Sequence, residues 1–356
     1  MVFHDPRNTD AQIRNTRQGN TTMTFTALTP KPLTLASLTA IALMGTTAFV
    51  SAKELEKVTI ITSWYAQAEH GGFYQAKATG LYEKEGLDVT IKMGGPQVNS
   101  MQLLLAGEAD FANGYDFQVL SGVEQGLPVI AVAAMMQHDV NGMITHPDVK
   151  SLADLKDKTL LIATSARASW WPWLKMTYGL EDSQVKPYTF NIQPFLVDSN
   201  AAQQGYPTSE PHSLAKEGVA HNFFMFADAG YPPYGVTTVS RRDVVEERPE
   251  MVEKFLRASV EGWKSYLKDP APGNALIKEA NPKMTDELLD FAVGQINERK
   301  LVTGGDAATQ GIGIMTPERW KADYDYMVSA GMLKAETDWQ QAFTTDFVKN
   351  LRVIAD

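Results

Sequence analysis

The chain has 356 residues, 44% of them hydrophobic, which is enough to bury a large core and to form two lobes. Acidic residues outnumber basic ones 42 to 32, which excludes the basic face that a nucleic-acid partner requires. With no cysteine in the sequence, disulfides and a lipid-modified N-terminal cysteine are excluded as well.

Residues 1–52 read as a leader. Polar residues 1–22 carry Arg7, Arg14 and Arg17, Leu33 to Val50 are apolar, and Ser51-Ala52 precede the charged Lys53-Glu54-Leu55-Glu56. A basic region, an apolar region and a small-residue exit predict a secretory signal cleaved near Ala52, and hence a periplasmic mature protein. Met23 offers a second start, with Lys31 as the charge of a more compact signal. The alternative is an uncleaved anchor, for which the apolar run is only just long enough. Loss of these four basic and two acidic residues leaves a net charge of −12.

Val58, Ile60 and Ile61 then predict a short strand, Phe73 to Lys77 a helix, and Val89 with Ile91 a returning strand. Gly86 stands where a chain leaving a helix takes a left-handed residue. Such a βαβ unit places its first loop at the carboxyl end of a parallel strand, where open α/β sheets bind ligands. That loop holds Trp64, Tyr65, Gln67 and His70, an unusual set for a simple reversal.

Met101 to Ala106 predict a helix stopped by Gly107, Phe111-Ala112 a strand, and Asp116 a cap for a helix over Phe117 to Glu124. Val129 to Ala134 are apolar without interruption, as in a strand buried on both faces. Gly142 to Thr145 are expected to cross out of a first lobe. In the second, Ser151 caps Leu152 to Lys156, Thr159 to Ala163 form a strand, and Thr164 to Arg167 lead into a helix over Ala168 to Tyr178. Tyr188 to Asn191 and Phe223 to Phe226 are further strand candidates. Tyr231 to Gly235 mark the return crossing, into a strand over Val236 to Val239. The boundaries expected are therefore 53–144 and 234–356 for one lobe and 145–233 for the other. Paired crossings suit closure around a ligand. Helices starting at Pro249 and covering Leu288 to Ile296 and Trp320 to Met327 are expected on the outside of the first lobe.

No phosphate-binding glycine loop, nucleophile elbow or metal-ligand spacing of histidines is present. Instead, strand-end loops carry a recognition set: Trp64, His70, Tyr115, Asp116, Phe117, Ser165, Arg167, Ser169, Trp170, Ser209, Glu210 and Tyr234. Aromatic faces with a few polar groups suit a flat small molecule held between two walls. Trp170, Trp171 and Trp173 surround Pro172, and packing within the lobe is their alternative role. Ser165 and Arg167, just before a helix, would suit an anion.

The ordered segments also resemble a known family. Trp64, His70 with Gly71-Gly72-Phe73-Tyr74-Gln75-Ala76-Lys77, Gly80-Leu81-Tyr82 and Glu85-Gly86-Leu87-Asp88 resemble the start of solute-binding proteins of bacterial ABC importers. The branch is the one uniting nitrate-, sulfonate- and taurine-binding proteins with thiamin-pyrimidine-precursor proteins. The likeness continues through Gly107 to Phe111, Gly126 to Val129, Ser151 to Lys158 and Gln203 to Tyr206. It implies a type II periplasmic-binding-protein fold, α/β with two lobes, each a mostly parallel sheet flanked by helices. It further implies a monomer without cofactor that delivers its ligand to a membrane permease served by a cytoplasmic ATPase.

Gly205 to Pro211 resemble the segment with which the family presents a carboxylate, here Glu210, to a pyrimidine amine. A carboxylate accepts two parallel N–H bonds from such an edge. The alternative role of Glu210 is a helix N-terminal charge beside Pro211. A nitrate, taurine or sulfonate ligand would instead lean on Arg167. The enzymatic relative, a fungal thiamin-pyrimidine synthase, carries a Lys and a His after the Asp110-Phe111 strand and a cysteine-rich iron motif. Here that stretch is Gly114-Tyr115-Asp116-Phe117-Gln118, and cysteine is absent. The expected activity is capture of an aromatic or heteroaromatic solute, without catalysis.

Overall fold

The computed structural model describes residues 54–355. The expected leader, its cleavage point and Met23 lie outside the described residues.

Among the described residues, ten strands form two five-stranded sheets. The first contains β1 (Glu56–Ile61), β2 (Leu87–Lys92), β3 (Phe111–Gly114), β4 (Val129–Met136) and β10 (Gly235–Arg241), in the order β2-β1-β3-β10-β4. The second contains β5 (Gly142–Thr145), β6 (Thr159–Ile162), β7 (Val185–Pro187), β8 (Ala201–Gly205) and β9 (Asn222–Met225), in the order β7-β6-β8-β5-β9. Each sheet is parallel except for one strand, β10 in the first and β5 in the second. These are the strands the chain enters on passing from one sheet to the other. The carboxyl edges of the sheets face each other, so a chain leaving one over that edge meets the other at its carboxyl edge and must run against the parallel strands.

Helices cover the sheets. Before β10 come α1 (Gly71–Ala78), α2 (Leu81–Lys84), α3 (Ser100–Leu105), α4 (Asp116–Glu124), α5 (Trp171–Tyr178), α6 (Gln193–Val197) and α7 (Glu210–Lys216). The remainder are α8 (Arg242–Glu247), α9 (Pro249–Lys268), α10 (Ala271–Ala280), α11 (Asp286–Glu298), α12 (Ala307–Gln310) and α13 (Pro317–Ser329). None of the helices among the described residues is long and apolar enough to cross a membrane.

The expected βαβ unit is present, with β1 and β2 parallel and Gly86 left-handed at φ +82°. Met251, Phe255, Leu256, Ser259, Val260 and Trp263 form the buried face of α9, as their spacing predicts. Phe255 stacks on Phe111, Tyr82 and Phe73, with ring centroids 4.1, 5.4 and 6.2 Å away. Burying one such ring is worth about 1.5–3 kcal/mol. Gly71 and Gly72 let α1 approach this helix. A Cβ on either would lie 2.2 Å from the ring of Tyr266 or Trp263.

Four local expectations change. Asp116 does not cap α4: it is the first helical residue, Tyr115 precedes it as cap, and the Asp116 carboxylate turns to β10. Residues 188–191 are not a strand; β7 lies just before them, at the edge of its sheet, and its last bond to β6 is Tyr188 N–H to Ile162 C=O at 3.1 Å. The helix expected from Ala168 begins only at Trp171, after a 3-10 turn over Thr164–Ala168. Gly142 to Thr145 are not the crossing but β5 itself, paired with β8 and β9, so the chain passes between sheets within residues 137–141. The return runs between Met225 and Gly235. The two passages lie side by side: Phe226 N–H donates to Asn141 C=O at 2.9 Å, and Asp139 N–H to Pro233 C=O at 3.2 Å.

Candidate functional site

The loops after β1, β2 and β3 meet those after β6, β7 and β8, which brings the carboxyl ends of six parallel strands to one place. Trp64 stands at its centre. Its ring is parallel to that of Tyr188, with 6° between planes and centroids 6.4 Å apart, and tilted toward Tyr206 at 6.2 Å. Tyr65 extends the aromatic wall to Phe190 at 5.7 Å. These pairs join loops of opposite sheets.

Glu210 lies behind that wall, 3% exposed. Tyr188 Oη donates to its Oε1 at 2.6 Å, Tyr206 N–H to its Oε2 at 2.9 Å, and Ser209 Oγ also donates to Oε2. Burial raises its pKa, and these donors act in the opposite direction. As first residue of α7 it also occupies the helix N-terminal position foreseen as its alternative role, so the two roles coincide. On the other side of the site Glu69, 1% exposed, accepts a hydrogen bond from Thr208 Oγ1, and its Oε2 has no partner. Burial, opposed by the Thr208 hydrogen bond, pushes Glu69 up to about 7, and the nearby Glu210 adds to the rise.

Tyr115 links the site to the crossings. It is paired with Tyr206, Asn141 and Ser63, and burial, with Asp139 adding to it, pushes it up to about 12. Asp139 itself is raised to about 7 by burial, although Asn141 bonds it through both its backbone and its side chain. His70 is buried, and loss of solvent lowers it to about 4, so at neutral pH it is an uncharged imidazole. Beside Tyr115, a cavity of about 80 Å³ is lined by neutral groups, among them Ser63, Asn99, Gln118, Thr164 and Ser165. A second, of about 210 Å³, reaches Glu210 past Tyr188 and Phe190. Lys283 stands at its edge, 6.0 Å from the centre of the Phe190 ring.

The expected recognition residues fall into three groups. Trp64, Tyr115, Ser209 and Glu210 converge on the interface between sheets, and His70 is buried in the same β1 loop. Asp116, Phe117, Trp170 and Tyr234 are committed elsewhere. Asp116 accepts from Tyr234 N–H at 2.7 Å and Thr237 Oγ1 at 2.5 Å, holding β10. Phe117 packs on Tyr231, and Trp170 on Phe226, 4.8 Å between centroids. The Tyr234 ring lies under Arg319 at 3.7 Å. Trp173 joins Trp170 on Phe226, and Trp171 Nε1 donates to Asp182, so all three tryptophans are engaged in packing. Ser169 Oγ donates to Ala166 C=O. The anion arrangement is not assembled: Ser165 N–H donates to Pro96 C=O at 3.2 Å, and the Arg167 side chain, 46% exposed, faces Asp182 at 3.9 Å. Sequence reasoning missed Glu69, Thr208, Tyr188 and Tyr206. Tyr206 lay at the end of the Gln203–Tyr206 segment and Glu69 immediately before His70, but nothing local distinguishes a site tyrosine or glutamate from a surface one.

The NMT1/THI5-like family profile matches residues 67–272, more than half of the chain. The chain belongs to this family. It is 27% identical over 83% of its length to the riboflavin-binding protein RibY of Chloroflexus aurantiacus, covering 86% of that protein. It is 24% identical over 82% of its length to the formylaminopyrimidine-binding protein of Halalkalibacterium halodurans, covering 90% of it. The fold matches the periplasmic aliphatic sulphonate binding protein SsuA of Escherichia coli with a TM-score of 0.60, at 15% identity, over 82% of this chain and 92% of that one. The family's fold is therefore the periplasmic-binding-protein fold expected from the sequence.

Proposed function

We propose that this protein is the solute-binding component of an ABC importer, capturing a flat aromatic or heteroaromatic compound with N–H donors. The observation that carries the reading is Glu210, a buried carboxylate set against the parallel rings of Trp64 and Tyr188. The rings offer apolar faces to a planar molecule, and the carboxylate selects one that brings hydrogen to it. The names of the two curated relatives, a riboflavin- and a formylaminopyrimidine-binding protein, agree with such a ligand. An oxyanion such as nitrate, taurine or a sulfonate fits less well. Two buried carboxyls repel it, and the Arg167 guanidinium that would compensate faces Asp182.

On this reading the protein performs no chemistry. Its lobes, divided where the chain crosses between sheets, close on the ligand, and a ligand favours that state only by its differential affinity for it. A permease and its ATPase then take over the solute. The leader of residues 1–52 is removed on export, and the mature protein works in the periplasm as a monomer. A thermal-shift panel of aminopyrimidines, flavins, nitrate and sulfonates tests the proposal. A ligand at one hundred times its Kd stabilises by about 2.7 kcal/mol. Stabilisation by an aminopyrimidine or flavin supports it, and stabilisation by the oxyanions alone overturns it.

A further inference from the structure

The two buried carboxyls come from opposite sheets. Glu69 follows β1, in the turn that leads into α1, and Glu210 follows β8 at the start of α7. The carboxyl of Glu210 is bonded on both oxygens, by Tyr188 on Oε1 and by Tyr206 and Ser209 on Oε2, which leaves Oε1 able to accept one more donor. That of Glu69 is bonded on one oxygen only, by Thr208 of the other sheet, and its second oxygen is buried without a partner. The side-chain amide of Gln67, two residues earlier, is likewise buried and unbonded at both its oxygen and its nitrogen. The neighbouring imidazole is no counter-ion, because His70 is neutral.

An acceptor left unpaired in a dry interior is costly, more so when charged, and nearly all buried polar groups in folded proteins have a partner. Nor does packing require it. Glutamine or methionine fills the same space without a carboxyl next to Glu210. Because Thr208 approaches from the other sheet, Glu69 sits at the junction that opens when the lobes separate.

We infer that Glu69 is a second recognition carboxyl, paired with Glu210 across the cleft, and that it selects ligands presenting N–H donors on two edges of the ring rather than one. This rests on the solute-binding reading above. A single-edged aminopyrimidine satisfies Glu210 and leaves Glu69 as it stands. A diamino heterocycle, or a fused ring with an amide N–H on its far edge, satisfies both. The device reads the ligand's donor pattern from both lobes at once, so such a ligand also favours closure.

Titration calorimetry at pH 8 with 4-aminopyrimidine and 2,4-diaminopyrimidine tests this on the mature protein. The wild type should prefer the diamino compound by about tenfold or more, as one charge-assisted hydrogen bond provides. Glu69→Gln should abolish the preference while retaining affinity for 4-aminopyrimidine. Glu69→Asp, which keeps the charge but withdraws it by one methylene, should lose the preference too, and it serves if the glutamine variant does not fold. A preference unchanged in the variants, or absent from the wild type, overturns the role of Glu69 and leaves the functional reading standing. A wild type that binds neither compound overturns the role of Glu69, and the functional reading then stands or falls with the thermal-shift panel.

Discussion

Trp64 and Tyr188 face each other with parallel rings, 6.4 Å between centroids, although they stand 124 residues apart and in the loops of different sheets. The pair joins loops of the two sheets, so it exists only while those loops are in contact. Aromatic pairs of this kind are worth about 0.5–1.5 kcal/mol beyond their burial. That is small enough for a planar ligand, with two ring faces of its own, to replace it.

Trp64→Ala should therefore weaken binding of the best ligand in the thermal-shift panel by more than about tenfold, the loss of one stacked face plus its buried area. Trp170→Ala should act differently. Its ring packs on Phe226 beneath the second sheet, so truncation should lower stability by about 3–5 kcal/mol while affinity of the folded protein stays within about threefold. Chemical denaturation and calorimetry on both variants decide it. Equal losses of affinity would mean that Trp170 also reaches the ligand.

Glu210→Gln and Arg167→Gln separate the ligand classes. Replacing one oxygen of Glu210 by an amide sets donor against donor, and the loss should be roughly 2–4 kcal/mol for an amino-heteroaromatic ligand. Arg167→Gln should change affinity by less than about threefold, since its exposed pair with Asp182 is worth little. The reverse order in calorimetry would point to an oxyanion ligand.

The dependence of stability on pH follows from Glu69. Its native pKa, raised from 4.5 to about 7, means that the folded protein keeps a proton which the unfolded chain has released between those values. The contribution is thus present in full below pH 4.5 and is lost as pH rises to about 7. Asp139 acts in the same sense from 3.8 to about 7, whereas His70, lowered from 6.5 to about 4, contributes stability above 6.5 that is lost on acidification. Glu69→Gln removes only the first. Its unfolding free energy relative to wild type should rise between pH 4.5 and 7, by up to about 3 kcal/mol. Parallel pH profiles would show that Glu69 titrates normally.

Closure should be visible as compaction. The paired passages, bonded at Asp139–Pro233 and Phe226–Asn141, are the two segments at which the chain itself runs from one sheet to the other among the described residues. Small-angle scattering should give a smaller radius of gyration with saturating ligand than without. Gly235→Ala should disturb this transition, because its Cβ would lie 2.5 Å from His138 C=O in the adjacent passage. An unchanged radius on ligand addition would count against hinge closure.

Much of this molecule is legible in its sequence by itself. Helical spacing found α9 and α11, the unbroken apolar run found β4, and the glycine stops and strand–helix–strand rhythm of the first unit placed Trp64 at a strand's carboxyl end. Those signals are local, since period and turn chemistry act over a few residues. Glu210 was legible through a segment that resembles a family's. The tertiary structure alone decided which aromatics face the cleft. Trp64 and Trp170 look alike in sequence, but one meets Tyr188 across the sheets and the other meets Phe226 beneath one of them. It alone moved Asp116 from helix cap to anchor of β10, 118 residues further on at its Tyr234 contact, because a buried carboxylate goes to the donors that satisfy it best. And it alone brought Glu69 to Thr208 and Glu210, since a pairing between loops of two sheets is set by how the sheets face each other, which no local pattern encodes.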